Sequence, residues 1–372
     1  MMSIRDRKTR GFTLVELTVA MALGVLVIGT AVALFSKALD ASFIVAQRAE
    51  MQQNGRAGMG MVERDITLAG AGLPTGGVQL PTGNGATNSL FGCDQTKCYI
   101  TNNNYPGGNH LYGVIPGPFS GMSLTAGGTA SDAITILYTD VTFPLNQYVV
   151  TLPGNGGNNT ATFALPNPLP NPLPNPWPPT PVNDPVVGLK VGDLVLLTNN
   201  NGSAVGEVTN IPGGGAPYTI TFADNDALNI NQSGASSGRI QDISPDANTI
   251  ANRLFVVTYY LDIPPGPDNQ LYTADDGQPR LMRQVSGQAP TPVAEGISGL
   301  QFTYDIYDDV TGVNTANLKD AGMGAGKSPN QIRKVNLNVS ARAPLNGHGG
   351  YQNFDLASSV SARDMSFKDR YK

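Results

Sequence analysis

Residues 10–35 read RGFTLVELTVAMALGVLVIGTAVALF, and this stretch decides how the rest of the chain is understood. From Phe12 to Phe35 the run is almost wholly apolar. At 1.5 Å per residue a helix of about 24 residues spans the ~30 Å hydrocarbon core of a bilayer. Four cations precede it, Arg5, Arg7, Lys8 and Arg10, against the single Asp6. Positive charge flanking an apolar segment stays on the cytoplasmic side, so the residues after Phe35 are expected beyond the membrane. One residue does not fit: Glu16 places a carboxylate inside the run, where insertion into lipid penalises it.

The residues that follow separate two readings of the run. A cleaved secretory signal has an apolar region of only ~7–15 residues and then a small-residue cleavage site, for which Ala31 and Ala33 offer a pattern. Here the helical period continues past Phe35 without a stop. Ile44, Met51, Gly55, Gly58, Val62, Ile66 and Ala69 recur at three, four or seven, one stripe of a helix, with Arg56 and Glu63 to one side. The pattern predicts one helix of about 55 residues and ~80 Å, its first half bare and its second half packed on a globular head. Cleavage at Ala33 would cut that helix in two. The obvious weak points in its apolar half are Gly24 and Gly29.

The remainder has a different composition. The 372 residues include 44 Gly and 28 Pro, with 14% charged residues against the usual ~25%. Glycine and proline disfavour helix interiors, so short strands and long polar loops are expected. A net charge of -5 gives no electrostatic basis for binding nucleic acid, which is not expected as a partner. The two cysteines, Cys93 and Cys98, stand in CDQTKC. They read as buried thiols, as a disulfide loop, or as half of a metal site. His110 and His348 are too scattered in sequence to complete a zinc site. On the oxidising side of a membrane the bridge is favoured, a local staple contributing roughly 2 kcal/mol.

Strands are predicted at residues 133–138, 148–152, 193–197, 218–222, 253–261, 280–285, 300–307, 332–343 and 358–363. Val335, Leu337, Val339 and Ala341 alternate to one face. Successive strands without helices between them pair antiparallel, so the fold class is α+β: a long N-terminal helix packed on an antiparallel sheet. Residues 165–179, LPNPLPNPLPNPWPP, repeat every four and are expected as polyproline II, a spacer or a partner-binding loop presenting Trp177. The proline-rich insertion is bounded at 165–181. AGMGAGKS, residues 321–328, imitates a phosphate loop but lacks its first Gly and its helix, since Pro329 follows. Asp268, Asp275 and Asp276 are weak calcium candidates without EF-hand spacing; the alternative is a solvated hairpin loop. Neither a nucleophile elbow nor a His-rich metal motif appears, so the chain reads as a non-enzyme without a cofactor.

The leader, Gly11–Phe12, Glu16 and the apolar helix together resemble the class III signal of type IV prepilins. The resemblance implies that a membrane-embedded aspartyl peptidase cuts after Gly11 and methylates the new N-terminus at Phe12. It makes Glu16 the family's fifth-position acid. The freed Phe12 amine of one subunit could then neutralise Glu16 of a neighbour during stacking. The division that follows is 1–11 leader, 12–35 membrane or fibre-core helix, 36–70 amphipathic helix and 71–372 extracytoplasmic head. The order SDAITILYTD, VGDLVLLTN, VTYYLD, PRLMRQV, LQFTYDIY, IRKVNLNVSAR, with MVERDITLAGAG at the helix end, resembles PilW-type minor pilins. That resemblance implies a low-abundance subunit that helps prime the pilus. Its partners would be other minor pilins, the major pilin, the peptidase and the inner membrane before assembly. A J-type pseudopilin of type II secretion shares this arrangement, and a tip adhesin contacting a surface or glycan is a third expectation.

Overall fold

The structure is a computed structural model that describes residues 11–101, 109–153, 159–308, 311–319, 327–343, 353–362 and 365. Residues 321–326 of the phosphate-loop imitation lie outside the described residues.

One helix, α1 (Leu14–Thr67), runs unbroken for 54 residues, about 80 Å. Gly24 and Gly29 do not interrupt it, and a Cβ at either would meet nothing within 4 Å. Its first half is bare: Leu14, Val15, Leu23, Val25, Ile28 and Phe35 are all exposed. Thr18 and Thr30 donate their hydroxyls to Val15 O and Val27 O, both at 2.9 Å, so neither carries an unmade hydrogen bond into lipid. The buried residues of the second half are Met51, Gly55, Gly58, Met59, Val62, Asp65 and Ile66: Met59 and Asp65 join the expected stripe, Ile44 is only half buried, and Ala69 is buried just past the helix end.

Sixteen strands follow among the described residues. The first eight are β1 (Val78–Gln79), β2 (His110–Leu111), β3 (Val114–Gly117), β4 (Ala133–Thr139), β5 (Val149–Leu152), β6 (Thr160–Ala164), β7 (Leu194–Asn199) and β8 (Gly202–Glu207). The others are β9 (Tyr218–Thr221), β10 (Asp246–Asp262), β11 (Arg280–Val285), β12 (Thr291–Glu295), β13 (Ile297–Tyr307), β14 (Asn314–Leu318), β15 (Ile332–Arg342) and β16 (Asn353–Ser361). Every strand pairing is antiparallel, as successive strands without crossover helices require.

β10 is the spine of a ten-stranded sheet. Its 17 residues pair with β11, β4, β5 and β7 in turn. A separate four-stranded sheet has the order β14-β13-β15-β16. The helix lies across β12, β15 and β16 and joins the two sheets over one core, in which Val62, Ile66, Leu281, Ile297, Phe302, Val335 and Val339 are buried. Glycines set the approach. A Cβ on Gly58 would stand 3.0 Å from Ala294 Cβ and 3.2 Å from Leu281 Cδ2, and one on Gly55 3.2 Å from Leu356 Cδ1. The stripe therefore needs no side chain at its closest points.

Two further cores lie away from the helix. One gathers Phe143, Tyr148, Phe163, Leu197, Ile220 and Phe222; the other gathers Val78, Leu80, Phe91, Cys93, Ile100, Leu111 and Tyr260. The proline-rich segment falls between β6 and β7 and bends at Asn167–Pro168, Asn171–Pro172 and from Asn175 to Pro178, so it is a repeated series of bends, not the straight polyproline rod expected. Each bend recurs at an Asn-Pro step, and Asn favours turn conformations over extension. Tyr148 ties its end down by donating to Thr180 O at 2.9 Å.

Candidate functional site

Two places on α1 carry chemistry, its first turn and its last. Gly11, Phe12 and Thr13 precede the helix in irregular, exposed backbone, with Phe12 89% exposed. A peptide bond after Gly11 is thus presented free of helix and of packed neighbours, which is the form a peptidase needs. Thr13 is the N-cap, extended at φ -76° and ψ 151°. Its hydroxyl accepts from Glu16 N at 3.2 Å, and Glu16 Oε2 accepts from Thr13 N and Thr13 Oγ1, both at 2.9 Å. This is a reciprocal capping box. It gives the anomalous carboxylate a role within a single subunit: it satisfies a helix-terminal donor and sits at the positive end of the helix dipole. The T-x-x-E spacing of Thr13 and Glu16 was available in the sequence as a helix-start signal.

The last turn holds a polar cluster that no sequence motif announced. Asp65 is buried at 4% exposure and accepts three hydrogen bonds: Tyr259 Oη at 2.7 Å, Arg283 Nε at 2.9 Å and Tyr138 Oη at 3.1 Å. Each partner comes from a different strand, β10, β11 and β4, so one carboxylate fastens the helix to three strands of the large sheet. Burial, and then the Asp65 charge, push the Tyr138 phenol up to about 12, and the same two causes push Tyr259 up further. Both hydroxyls therefore stay protonated and donate. Asp65 and Arg283 stand far apart in the sequence, in MVERDITLAGAG and PRLMRQV, and the fold pairs them.

The cysteines lie at the head's third core. Cys93 and Cys98 Sγ atoms are 2.10 Å apart, and the small loop they close is docked at two points. Gln284 Nε2 donates to Cys93 O at 2.6 Å, and Gln95 Nε2 donates to Glu207 Oε1 at 3.1 Å. Glu207 is fully buried, with Oε2 accepting from Leu228 N at 2.9 Å. Desolvation raises its carboxyl, and a hydrogen bond to Asp226 and that residue's charge raise it further, to about 9. Glu207 therefore keeps its proton at neutral pH.

Asp275 and Asp276 share the Thr273 hydroxyl, while Asp268 turns to Gln270 instead. Asp268 accepts from Gln270 N at 2.9 Å, Asp275 from Thr273 Oγ1 at 2.8 Å and Asp276 from Thr273 N at 3.1 Å. Their oxygens are used to fold the loop itself. Among the described residues no group of three or more His, Cys, Asp or Glu could hold a metal ion.

Comparison with known families finds the prokaryotic N-terminal methylation motif at residues 6–32. No curated protein and no solved structure matches the chain. The matched segment contains the end of the leader, Gly11–Phe12, the capping box and most of the apolar half of α1, which is long and apolar enough to cross a membrane. That motif implies processing by a prepilin peptidase, membrane anchoring before assembly, and association with other pilin-like subunits. It supports a type IV pilin-like or pseudopilin-like protein, and the helix-and-sheet architecture suits a structural subunit of that kind.

Proposed function

We propose that this chain is a minor pilin of the PilW type, which helps initiate fibre assembly and occupies the tip. The observation that carries the reading is the size of the head: sixteen strands and three hydrophobic cores hang from one helix. Repeated along a fibre such a head would crowd its neighbours, whereas a tip position tolerates it. In this reading residues 1–11 are removed after Gly11, Phe12 is methylated, and residues 12–35 form the membrane and then fibre-core segment. Residues 36–70 pack on the head at 71–372. Glu16 exchanges its capping role for a neighbour's Phe12 amine, and Cys93–Cys98 is a disulfide on the oxidising side of the membrane. Deleting the gene tests this directly. An assembly primer leaves cells without fibres, a pure adhesin leaves fibres that fail to attach, and a J-type pseudopilin leaves fibres intact with secretion lost.

A further inference from the structure

The sheet edges of this head are not alike. β12 is five residues with Pro292 and a register shift opposite β11; β3 is four residues with Pro116; β9 is four residues. β14 is five residues and meets a register shift in β13, and β8 has four of its six residues buried. These are the usual devices that keep an edge from pairing with another chain. β16 has none of them. It is nine residues long, pairs with β15 in constant register from Lys334↔Ser361 to Arg342↔Asn353, and contains no Pro, Lys or Arg.

Its hydrogen-bonding direction follows from one contact. Ala362 N donates to Arg333 O at 3.2 Å, so alternate residues back along the strand, Val360, Ser358, Leu356 and Phe354, turn their backbone groups to β15. Asn353, Asp355, Ala357, Ser359 and Ser361 turn theirs outward. These five are exposed, over a strand of about 30 Å. The inner-face side chains Phe354 and Leu356 pack on the helix-sheet core yet remain only half buried. A further strand laid beside β16 would extend that core over them.

We propose that the edge of β16, unpaired among the described residues, takes an extended strand from a second, non-identical pilin-like subunit, apolar toward α1 and polar on the opposite face. The proposal rests on the pilin-like reading. Geometry excludes a second copy pairing β16 with β16 antiparallel. The two-fold axis of such a pair stands perpendicular to the sheet and reverses every direction within it. Because α1 packs flat across the sheet face, with Gly55 at Leu356 and Ala341 and Gly58 at Ala294, the two apolar helix halves would point opposite ways and could not share one membrane orientation.

Hydrogen exchange on the full chain provides the test, first isolated in detergent and then within fibres sheared from cells. In the isolated chain the outward amides of Asp355, Ala357 and Ser359 exchange fast and the inward amides of Leu356, Ser358 and Val360 slowly. Outward amides already protected there would mean that the chain covers its own edge, which overturns the proposal. In fibres the outward amides slow by about tenfold or more. Continued fast exchange in fibres that contain the chain would also overturn it, while a processed chain missing from fibres refutes the pilin reading beneath it. Ala357→Pro and Ser359→Pro each remove one outward donor and leave the β15 ladder intact. Incorporation into fibres should fall about tenfold with an unchanged thermal midpoint, and Ser359→Ala should incorporate normally. Proline variants that incorporate like the native chain would contradict the edge pairing.

Discussion

Asp65→Ala should loosen the joint between helix and head, and the structure sets how strongly. The substitution takes away the acceptor of the Tyr259 and Tyr138 hydroxyls, both on buried residues, leaving them only as acceptors from Arg283 at 3.1 and 3.4 Å, and removes the counter-charge from Arg283, whose side chain is 24% exposed. Breaking a buried ion pair costs ~3–5 kcal/mol, and an unsatisfied buried hydroxyl ~1–3 kcal/mol. Arg283 can still reach water, which puts the expected loss at the lower end, about 3 kcal/mol. Arg283→Ala should cost less, since Asp65 keeps two phenolic donors. The double variant then separates the pair: a coupling of about 1.5–2 kcal/mol is expected, because neither group retains its full purpose without the other. Urea unfolding of the full chain in detergent, followed by near-ultraviolet tyrosine dichroism, reads the head and is blind to the apolar helix half. Amide exchange at residues 62–68 should accelerate in parallel. A coupling below about 0.5 kcal/mol, with Asp65→Ala near neutral, would refute the view that this carboxylate fastens the helix to the sheet.

Gly58→Val should destabilise by about 1–3 kcal/mol in the same assay, because its side chain meets Ala294 and Leu281. Gly60→Ala, where nothing stands within 4 Å, should stabilise by about 1 kcal/mol. Glu207 binds its proton more tightly folded than unfolded, so its contribution is complete at pH values below about 4 and is lost as pH rises to and through about 9. Urea midpoints across that window should fall for the native chain and flatten for Glu207→Gln. Glu16→Ala should leave leader removal unchanged and abolish incorporation into fibres; normal incorporation would show that the carboxylate serves only the helix cap.

The long helix and its stripe were legible because helical period and apolar content agree over fifty residues, and β4, β11, β13 and β15 because their β-branched runs are bounded by turn residues. β1, β2, β3, β6, β8, β12 and β14 were not anticipated. They are short, and residues such as Gly202, Gly206, Pro116 and Pro292 mask any alternation. The region between Gly70 and Gly128 read as loop, yet Val78, Leu80, Phe91 and Leu111 are buried in a core. Burial there comes from single residues packed against β8 and β10, a long-range effect with no local period. The same holds for Asp65, whose partners stand 73, 194 and 218 residues away in sequence. Glu16 is the opposite case: its motif is local, and both its processing context and its cap could be read from a few adjacent residues.

If the N-terminus is a processed assembly signal, the intact mass of the chain recovered from its own membranes will show it: a mature chain beginning at Phe12 and carrying one methyl group, with Gly11→Ala accumulating as the uncut, unmethylated precursor. A native chain that retains residues 1–11, or one that begins after Ala33, would contradict it.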